Sequence, residues 1–305
     1  MCAVDRVELF RRCLDGAILA TGETIRVNGW DPAPGSQAAR EIAAQGPFLR
    51  RSNTPVHDAY SFGFARLANA TAHVAALSRL LADEPQIYAA ATVARVVLES
   101  SAKAAWTFDL SLDVKMRVAR GRASAIGNVI DVLGYPRPAQ PQQEPDETAE
   151  AFKRRVVEYD KITAEFTKAE ATRDDLIADS RAVNLDVKLD RRGRFTGIEE
   201  ALPRHTETIK SLLGDDGAMA YRDLSGVAHG GMSSLLNRME EVAAGPGRSL
   251  MKPTEDVGSH LASLAVTLLA FTRANETRIR LFGWDATKWV TWRLERRDVM
   301  RQLFG

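Results

Sequence analysis

An arginine and a histidine in the last third of this sequence form the pair best suited to chemistry. Arg222 and His229 lie seven positions apart in the segment that runs from Tyr221 to Gly231. On an α-helix that spacing places both side chains on nearly the same face, about 10 Å apart along the axis. Arginine can hold a phosphate through two parallel hydrogen bonds, and histidine can transfer a proton near neutral pH. The pair therefore predicts a minimal site for cleaving a phosphodiester.

The same pair also has an ordinary structural interpretation. Gly230 and Gly231 follow His229 at once and form a helix stop signal. A histidine in the last turn of a helix often does no more than cap backbone carbonyls, and short motifs of this kind arise by chance. The spacing alone leaves the catalytic and the structural interpretations open.

The residues around the pair resemble the signature helix of the HEPN superfamily, in which an arginine and a polar residue precede a histidine. Here Asp223 is the polar residue, and six residues separate Arg222 from His229. The wider pattern is most similar to a HEPN-related group of bacterial helical proteins with no assigned function. A second block, Ala94 to Trp106, is similar to an arginine-plus-glutamate helix of that group.

In the catalytic members of the superfamily, the resemblance implies metal-independent RNA cleavage at the interface of a homodimer. Carried to this chain, His229 would be the acid or base, Arg222 would bind phosphate, and Asp223 would orient either of them. The supporting positions are Tyr221, Ser225, Arg95 and Glu99.

Glu99 has two interpretations of its own. It lies four residues after Arg95 in an otherwise apolar segment, so the two can form an ordinary pair that contributes little when exposed. Alternatively both are partly buried and Glu99 orients His229 or Arg222, because a charged pair in so apolar a helix needs a partner.

Basic residues alternate with tryptophans between Lys288 and Arg301. Such a segment could bind single-stranded nucleic acid by base stacking and phosphate contacts. Trp289 and Trp292 also fit a core-facing stripe with a solvated basic face, which is the interpretation we favour.

Composition excludes several other classes of function. The 305 residues carry 41 Lys and Arg against 40 Asp and Glu, so a polyanion site must be a local patch. The sequence has no zinc-type, di-iron or nucleotide-loop spacing, and we expect no metal and no cofactor. The remaining histidines are expected to be structural or solvated; they are His57, His73, His205 and His260.

The sequence also favours a reducing cytoplasm and no membrane association. Cys2 and Cys13 would lie about 16 Å apart on one helix, too far for a disulfide. The amino terminus lacks the order of a secretory signal, and the longest apolar run, Leu261 to Phe271, is shorter than a bilayer requires.

Helical periodicity dominates the elements that must position these residues. Helices are predicted from about Val4 to Leu19, Ser36 to Ala44, Asp58 to Leu81, Ile87 to Phe108, Val114 to Leu133, Thr148 to about Asp179, His205 through His229, Asp256 to Phe282, and Trp284 to the end.

The segment 135–200 is predicted to be an insertion in this helical scaffold. A proline-rich loop, Tyr135 to Pro145, precedes a charged arm from Thr148 to Asp179. Because the apolar seam of this arm is narrow, the arm is expected to project or to pack against a second copy of the chain. Alternating residues around Arg192-Gly193 predict a small β-hairpin. We thus predict an all-α protein, a HEPN-like antiparallel helical bundle over 1–305 that forms one elaborated domain.

Two functions follow as hypotheses. One is a metal-independent endoribonuclease, or a toxin-like RNA-processing factor, that acts on RNA as a homodimer. The alternative is a non-catalytic helical module that binds a small molecule or a protein partner. The environment of His229 discriminates between them, because a fully buried ring with both nitrogens bonded to backbone would exclude catalysis.

Overall fold

The computed structural model describes residues 3–50, 52–82, 86–231, 239–245, 248–253 and 258–304. Most of these residues are helical, which confirms the predicted all-α class. The α-helices of the described residues are α1 (Ala3–Asn28), α2 (Gln37–Ala43), α3 (Pro55–Leu80), α4 (Ile87–Phe108), α5 (Val114–Leu133), α6 (Ala149–Ala182), α7 (His205–Ala228), α8 (Gly258–Phe282) and α9 (Thr287–Phe304). A short 3₁₀ helix covers Gly46–Phe48.

Side-chain caps fix where the predicted helices begin. The Asp113 carboxylate accepts a hydrogen bond from the Met116 backbone N–H at 2.8 Å, so α5 begins at Val114 as predicted. The Thr148 hydroxyl accepts from the Ala151 N–H at 3.3 Å and caps α6. Asp285 accepts from the Thr287 N–H at 2.9 Å, so α9 begins a few residues later than predicted.

The chain divides into two compact units. The first unit comprises Met1–Ala43, Tyr60–Ser111 and Pro203–Gly305, and in it α4 packs against α7 and α8 while α1 packs against α9. The second unit comprises Ala44–Ala59 and Leu112–Leu202. The segment 135–200, predicted as an insertion, belongs to this second unit together with α5 and the segment 44–59.

An aromatic cluster forms part of the core of the first unit. The rings of Phe64 and Phe282 lie 5.1 Å apart, and Phe282 lies 5.1 Å from Trp284. Phe108, the last residue of α4, is fully buried in this cluster. Such edge-to-face contacts stabilise beyond the area they bury. The cluster holds α4, the helix that carries Arg95 and Glu99, in a fixed position.

The carboxyl-terminal tryptophans belong to the core. Trp289 is 1% exposed and Trp292 is 6% exposed, which confirms the core interpretation and excludes these rings as a base-stacking platform. Gly16 permits this packing of α9 on α1, because a Cβ at that position would lie 2.7 Å from the Trp292 ring. A side chain at position 16 would push the two helices apart.

The second unit packs α5 against α6 beside a small antiparallel sheet. Its strands are β1 (Val187–Leu189), β2 (Phe195–Ile198) and β3 (Glu200–Ala201), in the order β1-β2-β3. The pairing of β1 with β2 is the predicted hairpin; β3 was not predicted. Nearly buried arginines of α5 find carboxylates here, since Arg120 binds Glu200 and Arg122 binds Asp179 at 2.9 Å.

The apolar seam of the charged arm is partly covered by its own chain. The proline-rich segment lines a groove with Tyr159 and Ile162, and the Arg137 guanidinium lies over the Phe166 ring. Phe166 is buried, whereas Ile162 remains 36% exposed. Part of the seam for which the sequence analysis expected a second copy is therefore covered by the chain itself.

A second hairpin was missed by the sequence analysis. It pairs β4 (Met239–Gly245) with β5 (Arg248–Pro253) in antiparallel register. The residues of these strands do not alternate cleanly between apolar and polar types, which is the signal that predicted the first hairpin.

Two structural facts bear on the predicted cellular compartment. No helix in the described ranges has a stretch long and apolar enough to cross a bilayer. Cys13 is buried as a free thiol, and burial raises its pKa to about 11. Cys2 lies outside the described residues.

Candidate functional site

A break at Gly214 folds α7 back on itself. Gly214 has φ 73° and ψ −156°, a conformation open essentially to glycine alone. In a continuous helix, His205 and Tyr221 would lie about 24 Å apart. Their ring centroids are instead 6.5 Å apart with planes inclined by 21°. The residues before Gly214 therefore form a helical hairpin with the residues after it.

Gly217 allows the two arms of this hairpin to approach. A Cβ at Gly217 would lie 3.1 Å from the Ile209 Cγ2 atom, which is tight contact between positions eight residues apart. The absence of a side chain lets the first arm settle on the second. The hairpin thus carries His205, at the start of α7, to the neighbourhood of Tyr221.

His229 caps the carboxyl end of α7. Its backbone N–H donates to the Ser225 carbonyl at 3.0 Å, and Gly230 then turns the chain with φ 67°. The side chain of His229 is exposed. The geometry that would have excluded catalysis, a buried ring held by backbone groups, is not found.

The arginine in contact with His229 is Arg95 of α4, not Arg222. Arg95 Nη1 lies 2.8 Å from His229 Nε2. Because a guanidinium only donates hydrogen bonds, Nε2 is the acceptor, and the imidazole is neutral with its proton on Nδ1. Arg222 is exposed, and within the described part of the chain it has no hydrogen bond or ion pair. Arg222 and His229 lie about two turns apart along α7. The closer arginine is Arg95, which belongs to the neighbouring helix α4.

Glu99 fixes the orientation of Arg95. The Arg95 Nε donates to Glu99 Oε1 at 2.8 Å, and the two side chains are 22% and 19% exposed. Burial opposes the positive charge of Arg95, but the hydrogen bond and ion pair with Glu99 outweigh burial and raise the pKa of the guanidinium. Glu99 is thus a partly buried group that holds Arg95, and Arg95 in turn contacts His229.

Tyr221 closes the same cluster from the side of α7. The Arg95 guanidinium lies over the Tyr221 ring, 5.7 Å from its centroid. The phenol is within hydrogen-bonding reach of Glu99, and burial together with the negative charge of Glu99 raises the pKa of Tyr221. Tyr221 therefore stays protonated beside the carboxylate.

His205 is the residue of this cluster that sequence reasoning missed. Its Nδ1 lies 3.8 Å from Glu99 Oε2, and this buried nitrogen has no hydrogen-bond partner among the described residues. Burial, and next the charge of Lys103, lower the pKa of His205; Arg95 and Arg66 add to this effect, while Glu99 opposes it. His205 is therefore neutral near pH 7.

A signal for His205 was present in the sequence. Gly214-Asp215-Asp216-Gly217 combines two glycines with two residues that favour helix starts and turns. A helix interrupted at that point can return its first arm beside its second. The sequence analysis instead took His205 as a structural or solvated residue and did not connect it with His229.

The remaining predicted positions tie α7 to its surroundings. Asp223 accepts a hydrogen bond from the Ser263 hydroxyl of α8 at 3.0 Å. Ser225 supplies the carbonyl that caps His229. These contacts place Asp223 and Ser225 in the support of the helix end, and the structure brings together Arg95, Glu99, Tyr221, His205 and His229 as the candidate site.

The chemistry of this cluster is that of proton transfer beside a cation. Two neutral imidazoles flank an arginine–glutamate pair, with Lys103 and Arg66 close enough to shift the titration of His205. Within the described ranges, no group of three or more His, Cys, Asp or Glu side chains could hold a metal ion. No protein-family model, curated protein or solved structure matches this chain.

Proposed function

We propose that this chain is a metal-independent endoribonuclease, or a toxin-like RNA-processing factor, of the HEPN type. The observation that carries the proposal is the 2.8 Å contact between Arg95 Nη1 and His229 Nε2 at an exposed helix end. It joins a proton acceptor and a phosphate-binding cation at one accessible point. The resemblance of the α7 sequence to the HEPN signature supports the same chemistry.

His229 and Arg95 act at the 2′-hydroxyl and at the phosphate. The neutral Nε2 of His229 takes the proton of the ribose 2′-hydroxyl, whose oxygen attacks the adjacent phosphate. Arg95 turns its N–H groups from the imidazole to the phosphate oxygens and stabilises the added negative charge. The 5′-oxygen leaves as a hydroxyl, and the other product ends in a 2′,3′-cyclic phosphate.

Two features of the surface of α7 support RNA and a second copy of the chain as partners. Arg222 is exposed and can contact the RNA backbone away from the reacting phosphate. Met219, one turn earlier, is an apolar side chain that is 58% exposed. We therefore assign this face to a homodimer contact beside the site, as the resemblance implies. The cytoplasmic location stays the proposal that the cysteine usage favours.

A second candidate is the non-catalytic helical module that binds a small molecule or a protein. The observation in its favour is that Arg95 joins Glu99 to Tyr221 and His229, so the network ties α4 to α7. A network with this many partners can be structural alone. In that case the cluster would contribute to stability and not to turnover.

An assay with single-stranded RNA of mixed sequence tests the proposal. The purified protein should cleave it in the presence of EDTA and leave 2′,3′-cyclic phosphate ends, while His229→Ala should be inactive but folded. His73→Ala is the matched control, because the His73 ring bonds the Asn69 carbonyl of its own helix at 2.8 Å. Absence of cleavage by the wild type would favour the binding module. Equal cleavage by the wild type and His229→Ala would contradict the assigned site.

A further inference from the structure

We propose that His205 is the second proton-transfer residue of this site, the general acid that protonates the 5′-oxygen while His229 accepts the 2′-hydroxyl proton. This inference rests on the proposed ribonuclease function. It starts from the helical hairpin at Gly214, which brings a second histidine to the Arg95–Glu99 pair.

The two histidines lie at opposite ends of one ion pair. Glu99 Oε1 accepts from Arg95 Nε at 2.8 Å, and Arg95 Nη1 reaches His229 Nε2 at 2.8 Å. The other carboxylate oxygen, Glu99 Oε2, faces His205 Nδ1 at 3.8 Å. A phosphate bound by Arg95 would therefore lie between two imidazoles, with His229 on the side of Arg95 and His205 on the side of Glu99. That is the arrangement needed to remove a proton from one oxygen and supply a proton to another.

The surroundings of the two rings assign the roles. His229 Nε2 accepts a hydrogen bond from Arg95, which suits a base. His205 turns Nδ1 to a carboxylate, and this nitrogen is buried without a hydrogen-bond partner in the described residues. A distance of 3.8 Å is too long for a hydrogen bond, but a movement of about 1 Å would close it. Glu99 would then orient the imidazolium, whose Nε2–H is left for the substrate.

Substrate binding supplies the conditions for charging His205. In the free protein, the cations that face it are Lys103 and Arg95 of α4 and Arg66 of α3, and Glu99 is the opposing carboxylate. The Tyr221 ring stacks on it without a formal charge. A phosphodiester at Arg95 adds negative charge beside these cations, so His205 can take a proton from solvent.

Each proton in the cycle is accounted for. His205 receives a proton from solvent and passes it to the departing 5′-oxygen as the P–O bond breaks. His229 receives the 2′-hydroxyl proton as the new P–O bond forms, and returns it to solvent. Both rings end neutral, as they began, and no co-reactant is required.

A change of leaving group tests the assignment. The substrates are an RNA oligonucleotide that the enzyme cleaves and the same RNA with sulfur in place of the 5′-bridging oxygen at the mapped cleavage site. A thiolate leaves without protonation, so it does not need an acid. His205→Ala should lose about 10²- to 10⁴-fold in kcat on the oxygen substrate, the typical contribution of such a group, and retain wild-type kcat on the sulfur substrate. His229→Ala should lose activity on both.

The outcomes separate this inference from the proposed function. His205→Gln, measured beside His205→Ala with circular dichroism of both, excludes unfolding as the cause, and His73→Ala should match the wild type on both substrates. Equal losses on the two substrates, or no loss on either, would overturn the acid role of His205 and leave the ribonuclease proposal standing. Failure of the wild type to cleave any RNA would overturn both.

Discussion

His205 and Tyr221 stack against each other, with ring centroids 6.5 Å apart, although fifteen residues of α7 separate them in sequence. The contact exists because Gly214 adopts φ 73° and ψ −156° and reverses the chain. The composition of the candidate site thus depends on the backbone conformation of one residue that touches none of the site's side chains.

Replacing Gly214 by alanine should destabilise the protein. Nothing lies within 4 Å of the Cβ that would be added, so the cost is conformational, about 1–3 kcal/mol for a residue held in a region that L-residues avoid. Gly22→Ala is the matched control. It also has open space around its Cβ, but it lies inside α1, where alanine should gain about 0.5–1 kcal/mol. Urea denaturation of both variants measures the difference, and equal stability of the two would contradict the strained reversal.

Arg95→Lys should impair RNA cleavage more than Arg222→Lys does. A lysine keeps the charge at position 95 but cannot hold Glu99 and a phosphate through one planar group, so we expect about a 10²- to 10³-fold loss in kcat. Arg222 is exposed, and lysine there should mainly preserve a screened contact with the RNA backbone. Cleavage rates at two salt concentrations compare the variants. A greater loss for Arg222→Lys would restore the arginine assigned from the sequence spacing.

Lowering the pH should weaken the fold through His205. Its pKa is lowered in the folded protein, chiefly by burial, so below the ordinary value of 6.5 the unfolded chain binds a proton that the folded chain resists. The unfolded state then binds more protons, and the free energy of unfolding falls as the pH drops through that window. Denaturation at about pH 7.5 and pH 5.5 should show a smaller loss for His205→Gln than for the wild type. Parallel losses would show that His205 titrates normally.

Cys13 should be unreactive until the protein unfolds. Burial raises its pKa to about 11, so at pH 8 the thiol is protonated as well as inaccessible. In a Cys2→Ser variant, a thiol reagent at pH 8 should label nothing in the native protein and one thiol in denaturant. Rapid labelling of the native variant would show that α1 does not bury this residue.

Much of the helical framework could be predicted because its signals are local. The predicted limits of α5, Val114 and Leu133, are those of the structure, and Thr148 caps α6 through a bond to a residue three positions away. Trp289 and Trp292 recur at a spacing that places them on one helix face, and both are buried. Periodicity and capping depend on neighbours within a few residues, so a single chain displays them directly.

The members of the candidate site were only partly predictable. Arg95, Glu99, Tyr221 and His229 were singled out, but the contact between Arg95 and His229 joins residues 134 positions apart. Such a contact leaves no trace in local spacing, which instead pointed to Arg222. The hairpin of β4 and β5 was missed for a related reason, because its pairing compensates for weak alternation within each strand.

The sequence by itself determined a mostly helical protein and a histidine that ends a helix at Gly230, because turns, caps and apolar periods act over one or two helical turns. Only the tertiary structure decided which arginine reaches that histidine and that His205 joins it. Both depend on how α4 packs against α7 and on the torsion angles at Gly214. Those are set by the burial of whole helix faces, a property of the assembled core that no local segment contains.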